Sequence, residues 1–352
     1  MGAVLGMGLT HAPHLQFTDE DMANVLRRHL RGERTPEALK NPANWPAGMR
    51  AEWGEDEGQT AARQHRTKLV EGFRAARAAL DAFRPDFVLV WGDDQYENFQ
   101  VDLLPPFCVY ALDEMLIAPF KPSDGLKASR NVWNEPTDQI VTVRGHQPAA
   151  NLLAHELIRR GFDVGCSYRM HHAETLGHAF TRTVLYLDYD RRGFDYPIIP
   201  FHVNCYGSNL RIPAGQLQGP NGEKVIPPPS PMPWRCYDLG RAVTQIIEES
   251  PWRAVVIGSS SWSHASLTER HHFLYPDVET DRERCAELEA GEFRRWRELD
   301  PDQMRLSGQH EMLNWVCLAG AMEGRQAELL TYAETYVFNS DKALAVFPVA
   351  AS

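Results

Sequence analysis

Residues 87–95 read FVLVWGDDQ, and the two parts of this stretch carry different information. Phe87 to Trp91 is continuously apolar, as a strand covered on both faces must be. Gly92-Asp93-Asp94-Gln95 follows directly, so polar groups stand at the carboxyl end of a buried strand. Upstream, apolar and alanine positions recur at helical spacing from Gln59 to Phe83 (Leu69, Phe73, Ala76, Leu80), and Arg84-Pro85 stops the pattern. Near the start, AVLGMGL (3–9) is a short apolar run ending at Thr10. Pro13 restricts Ala12, which places His11 in a loop at that strand's exit.

The alternation continues downstream. A helix is expected over about 148–160, closed by Gly161, before a strand in FDVGCSY (162–168). Residues 182–206 hold the apolar segments TVLYL and PIIPFHV, residues 235–249 a helix, and Ala254 to Ile257 a buried strand leading into Ser259-Ser260-Ser261-Trp262-Ser263-His264. Glu279 to Leu299 and Glu311 to Glu323 read as the last long helices. Residues 16–58 are polar with scattered Pro, Gly and Trp, and form a helical excursion. Strands alternating with helices predict an α/β fold with a mostly parallel central sheet flanked by helices, as a single compact domain over 1–352. Ligands on such sheets collect beyond the carboxyl ends of strands, where His11, Gln95 and His264 all fall.

Composition narrows the function classes. A chain of 352 residues, 43% of them hydrophobic, can bury a large core. No run approaches the roughly 18 consecutive apolar residues of a membrane helix, and the opening MGAVLGMGLTHAPHL lacks the features of a signal peptide, so a cytoplasmic location and no membrane partner are expected. The net charge of −11 argues against nucleic acid, whose phosphates demand clustered Lys and Arg. The six cysteines are far apart without a C-x-x-C pair and read as buried thiols, not as disulfides or a thiolate zinc site. Symmetric assembly is common enough that a homo-oligomer is expected.

Fourteen histidines are many for this length, and they gather near the strand ends. A mononuclear iron that accepts both a diol and dioxygen needs a few protein ligands on one face, commonly two His and one carboxylate. No H-E-x-x-H signature supplies them locally, so the donors must come from distant segments. Taken singly, His11 is an ordinary loop histidine and Glu311 a carboxylate favoured by a helix N-terminus.

Five short segments change that balance by their order: Thr-His-Ala-Pro (10–13), Gly-Asp-Asp-Gln (92–95), Leu-Gly-His-Ala (176–179), Trp-Ser-His (262–264) and Glu-Met-Leu-Asn-Trp (311–315). In this order, over roughly residues 3–325, the chain resembles the class III extradiol ring-cleavage dioxygenases, in particular the catalytic subunit of protocatechuate 4,5-dioxygenase and its gallate-cleaving relatives. The resemblance implies iron ligation by His11 and Glu311. It implies an acid–base role for His264, and contact of His178 with substrate or an oxygen-derived intermediate. His171 and His172 are alternatives to His178, whereas His202 reads as a hydrogen-bonded buried histidine of a strand. Where the family carries its second histidine ligand this chain has Gln95, so the remaining donor is Gln95 itself, Asp94, Glu97 or His14. The implied cofactor is Fe(II), with Mn or Zn as alternatives, and the implied substrates are a small catechol-like diol and O2. The competing readings are a metal-dependent hydrolase or lyase on the same scaffold, and a non-catalytic binding protein.

Overall fold

The computed structural model describes residues 2–121, 130–207 and 225–349. In chain order its elements are β1 (Ala3–Leu9), α1 (Asn24–Arg31), α2 (Ala47–Trp53), α3 (Gln59–Phe83), β2 (Phe87–Gly92), β3 (Phe107–Tyr110), β4 (Glu114–Ile117), β5 (Val141–Arg144), α4 (Gln147–Arg159) and β6 (Gly165–Ser167). There follow α5 (His178–Leu187), β7 (Ile198–Val203), α6 (Pro233–Glu249), β8 (Arg253–Ser259), α7 (Val278–Glu289), α8 (Pro301–Leu306), α9 (Met312–Ala321), β9 (Glu328–Ala333) and β10 (Lys342–Phe347). Eight strands form one sheet in the order β6-β3-β7-β2-β8-β1-β10-β9, and β4 pairs with β5 in a small ribbon.

The four central strands, β7, β2, β8 and β1, are mutually parallel, while β3 and β10 join them antiparallel on either side. All six residues of β2 are buried, and alternate ones serve opposite faces. Phe87, Leu89 and Trp91 pack with apolar residues of α4, α6 and α9, whereas Val88 and Val90 pack with those of α3 and α5. The unbroken apolar run of β2 is thus the signature of a strand between two helical layers.

Helix α9 lies unusually close to the sheet because two strand residues facing it have no side chain. A Cβ at Gly8 would stand 2.0 Å from the Trp315 ring, and one at Gly258 2.8 Å from the Asn314 carbonyl oxygen. This contact fixes the height of the helix N-terminus above the strand ends. Gly8→Val should force α9 outward and lower stability by about 1–3 kcal/mol, the usual cost of overpacking, read from the urea midpoint at unchanged slope. A midpoint equal to that of the unmodified protein would show that α9 is not held by this contact.

The structure departs from the sequence reading in particular places. The helix expected over 279–299 ends at Glu289. Gly291 takes a positive φ of 72°, and a tight 3-10 segment, Phe293–Glu298, replaces the second half. TVLYL is the end of helix α5. Strands β3, β9 and β10 had no counterpart in the reading. The 16–58 region holds α1, α2 and two 3-10 turns, and Met22, Leu26, Trp45 and Met49 form a separate cluster with Leu274, Val337 and Phe338. Among the described residues no helix is long and apolar enough to cross a membrane. All six cysteines are free, five of them buried and Cys166 half-buried.

Candidate metal centre

Neighbouring parallel strands end side by side, so their following loops meet. Leu9 of β1 pairs with Ser259 of β8, and Trp91 of β2 with Gly258 of β8. His11, Asp93 and the 259–264 turn therefore emerge at one end of the sheet. Glu311 is the N-cap of α9 and arrives from above. Its turn is tied to the strand end, since the Ser260 hydroxyl donates to the Glu311 carbonyl at 2.8 Å and the Trp315 indole N–H donates to the Ser260 carbonyl at 3.0 Å. The result brings His11 Nε2 within 3.3 Å of Glu311 Oε2, although the two residues are 300 positions apart.

Hydrogen bonds fix the tautomers of three imidazoles. His11 Nδ1 lies 3.0 Å from the Ser259 carbonyl and His264 Nδ1 2.9 Å from the Trp262 carbonyl. A carbonyl only accepts, so both Nδ1 atoms carry hydrogen. His178 Nδ1 lies 2.8 Å from Glu97 Oε2. Burial works against ionisation of Glu97, but the charge and hydrogen bonds of His178 outweigh it and hold the carboxylate at about 2. The His178 ring and backbone N–H groups both donate to it. In the neutral form each of these rings keeps a lone pair on Nε2.

The lone pairs of His11 and His264 face an anion. His264 Nε2 is 3.5 Å and His11 Nε2 3.3 Å from Glu311 Oε2, a buried oxygen without a hydrogen-bond donor. Asp93 Oδ1, fully buried, is 3.8 Å from His11 Nε2. Burial and the nearby Glu311 push the Asp93 carboxyl upward in pKa, with His11 and His178 opposing. Two carboxylates and imidazole lone pairs at such spacing require positive charge between them, from added protons or from a cation. Among the described residues, one atom each of His11, Asp93 and His178 lie within 4.8 Å of one another, a spacing that can hold a metal ion. The His178–Glu97 pair is also the arrangement by which a carboxylate orients a metal-binding imidazole.

The four candidates for the remaining donor take different places. Gln95 Nε2 has Asp93 Oδ2 at 3.1 Å, Glu311 Oε1 at 3.3 Å and the Tyr206 hydroxyl at 3.0 Å. These carboxylates accept, so the amide turns its NH2 group toward them. Asp94 accepts from the backbone N–H groups of Glu97, Asn98 and Phe99, and burial pushes it up to about 7. It builds the turn. Glu97 is committed to His178. His14 is buried in the 3-10 turn Pro13–Gln16, edge-on to Phe17, with both ring nitrogens lacking a hydrogen-bond partner.

Asp93, a neighbour of the named candidates, is the carboxylate of the 92–95 turn that belongs to this metal-sized group. Period two along an extended chain puts Trp91 and Asp93 on the same face, and Trp91 packs in the α9 layer that carries Glu311. That signal was available in the sequence. His172 pairs with Asp102 at 2.9 Å in a loop, and His171 Nε2 is 3.3 Å from the Ser167 hydroxyl, so neither joins the cluster. His202 is buried in β7 against Phe99, and burial lowers it to about 3.

Residues 224–344 match the family described as the catalytic LigB subunit of aromatic ring-opening dioxygenase. The chain is 27% identical over 198 residues to 2,3-dihydroxyphenylpropionate/2,3-dihydroxicinnamic acid 1,2-dioxygenase 2 of Pseudomonas putida, covering 56% of this chain and 49% of that protein. It is 28% identical over 190 residues to the enzyme of the same activity from Comamonas testosteroni, covering 54% of this chain and 46% of that one. The chain thus spans about half the length of the curated relatives it matches. An uncharacterized protein of Escherichia coli K12 superposes with a TM-score of 0.45 at 10% identity, over 80% of this chain and 92% of that one.

Proposed function

We propose, from the chain's kinship with the LigB family of class III extradiol dioxygenases, that it opens the ring of a catechol-like diol with O2 at a non-haem Fe(II) centre. One observation carries this reading: the buried Glu311 Oε2, without a donor, faces the Nε2 atoms of His11 and His264. His11, Asp93 and Glu311 would hold the cation, with His178, which shares the metal-sized group with His11 and Asp93, beside it and His264 flanking it. Fe(II) bound there would supply the one-electron chemistry that lets dioxygen react with an electron-rich ring.

The remaining work falls to the protein's own groups. His264 Nε2 is free to take a proton from a diol hydroxyl, because the Trp262 carbonyl already holds the hydrogen on Nδ1. The Glu97 carboxylate holds the Nδ1–H of His178 and so leaves its Nε2 to meet an oxygen-bearing group of the bound ring. Trp91, Trp262 and Trp315, close in sequence to Asp93, His264 and Glu311, are fully buried.

The test uses anaerobic loading with Fe(II), then a panel of vicinal diols that includes 2,3-dihydroxyphenylpropionate, named in the relatives' activity. The expected result is O2 uptake coupled one-to-one to a yellow ring-opened acid. Iron that binds while no diol consumes O2 sinks the proposal. A second reading, a hydrolase or lyase using Zn or Mn, is favoured by the two carboxylates, an oxygen-rich set that suits harder cations. Turnover without O2 in the Zn- or Mn-loaded protein would select it.

A further inference from the structure

Position 95 would be expected to weaken a metal site, because an imidazole donor is missing there, yet the surrounding contacts are complete. The β7 end contributes Tyr206, which no motif singled out. Its hydroxyl donates to Glu311 Oε1 at 2.5 Å and accepts from Gln95 Nε2 at 3.0 Å, while that same amide reaches Asp93 Oδ2 at 3.1 Å and Glu311 Oε1 at 3.3 Å. The Tyr206 ring stacks on His310, the residue before Glu311, with centroids 5.6 Å apart and planes 16° from parallel. Both side chains are thereby locked to the turn that carries Glu311.

The contacts divide the carboxylate oxygens into two sets. Asp93 Oδ2 and Glu311 Oε1 are hydrogen-bonded by the Gln95–Tyr206 pair. Asp93 Oδ1 has only a long contact from Asn314 Nδ2 at 3.4 Å, and Glu311 Oε2 has no donor at all. These two less-engaged oxygens are the ones that face His11 Nε2, at 3.8 Å and 3.3 Å. We propose that Gln95 and Tyr206 act together as a clamp that makes each carboxylate bind a cation through a single oxygen. The inference rests on the metal reading above and adds two positioning residues to it.

The chemical consequence concerns open positions. A carboxylate free to rotate can bind a divalent cation through both oxygens, and two that did so would occupy sites that a chelating diol and O2 need. Capping one oxygen of each prevents this. Gln95 thus has a use as an amide donor: it cannot replace an imidazole ligand, but it holds the carboxylates that do the binding.

Co(II) is a suitable probe, because its visible absorption weakens as coordination number rises. Tyr206→Phe removes the hydroxyl and keeps the stacked ring; Gln95→Met keeps the volume and removes the donor. Each variant is expected to bind Co(II) about 10–100-fold more weakly, as loss of a residue that orients a ligand does, and to show a weaker visible band than the unmodified protein. The metal-free melting temperature checks folding, and if Tyr206→Phe fails to fold, Gln95→Met decides. Affinity and spectrum unchanged in the folded variants overturn the clamp while leaving the metal reading intact. An unmodified protein that binds no Co(II) overturns both.

Discussion

Glu311→Ala is expected to abolish metal retention and, with it, all O2-dependent turnover, while the metal-free protein still folds. Glu311 touches both sides of the cluster: its Oε2 faces His11 and His264, and its Oε1 accepts from Tyr206 and Gln95. Removal of a residue that merely orients a ligand costs roughly 10–100-fold in affinity, so removal of a charged donor should cost more than 100-fold. The fold itself does not depend on that carboxylate, since α9 is held by Gly8, Gly258 and the Trp315–Ser260 hydrogen bond. The expected signature is therefore a loss of metal-induced stabilisation. The unmodified protein should gain about 2.7 kcal/mol when free metal reaches 100 times its Kd, and the variant should gain nothing at the same concentration. Equal stabilisation of both would mean that the cation sits elsewhere.

What the sequence made legible follows the physics of each signal. β1, β2 and β8 were readable because a strand buried on both faces has to be apolar throughout, and α3 because its stripe repeats for 25 residues. Strand β10, KALAVF, is equally buried but begins with Lys342, whose ammonium is satisfied by the carbonyls of Phe338 and Ser340. A buried ammonium whose donors find backbone acceptors leaves no sign of that compensation in a hydropathy pattern. The break after α7 was hidden for a different reason: Gly291 stands in a run whose apolar spacing continues past it, and only its positive φ ends the helix.

The site shows the same division. His11, His264 and Glu311 could be placed at one end of the sheet because each belongs to a short motif next to an element whose direction was clear. Tyr206 and the inward-turned Gln95 amide depend on side-chain rotation and on strand order, which a single sequence does not encode locally. β7 had to be the neighbour of β2 before Tyr206 could reach Glu311. A carboxylate next to a better-known motif position was easily passed over.

His264→Ala separates chemistry from binding, and is expected to leave the metal content within about tenfold of normal affinity while lowering turnover roughly 10²–10⁴-fold, the usual worth of a positioned general base. His264 has two features that suit proton transfer. Its Nδ1 hydrogen is fixed on the Trp262 carbonyl, and the backbone around it is tied down by the His264 N–H to Gly308 and the Ala265 N–H to Asn339. Its side chain also keeps about 11% exposure, whereas Glu311 keeps 2%, so a bound diol can reach the imidazole while the carboxylate stays sheltered. In His264→Ala, kcat should fall far more than KM rises. His264→Gln, which keeps a polar group of similar reach but cannot take up a proton, should behave like the alanine variant. Recovery of the normal rate in His264→Gln would assign the residue to hydrogen bonding of the diol, and a normal rate in His264→Ala would remove it from the reaction altogether.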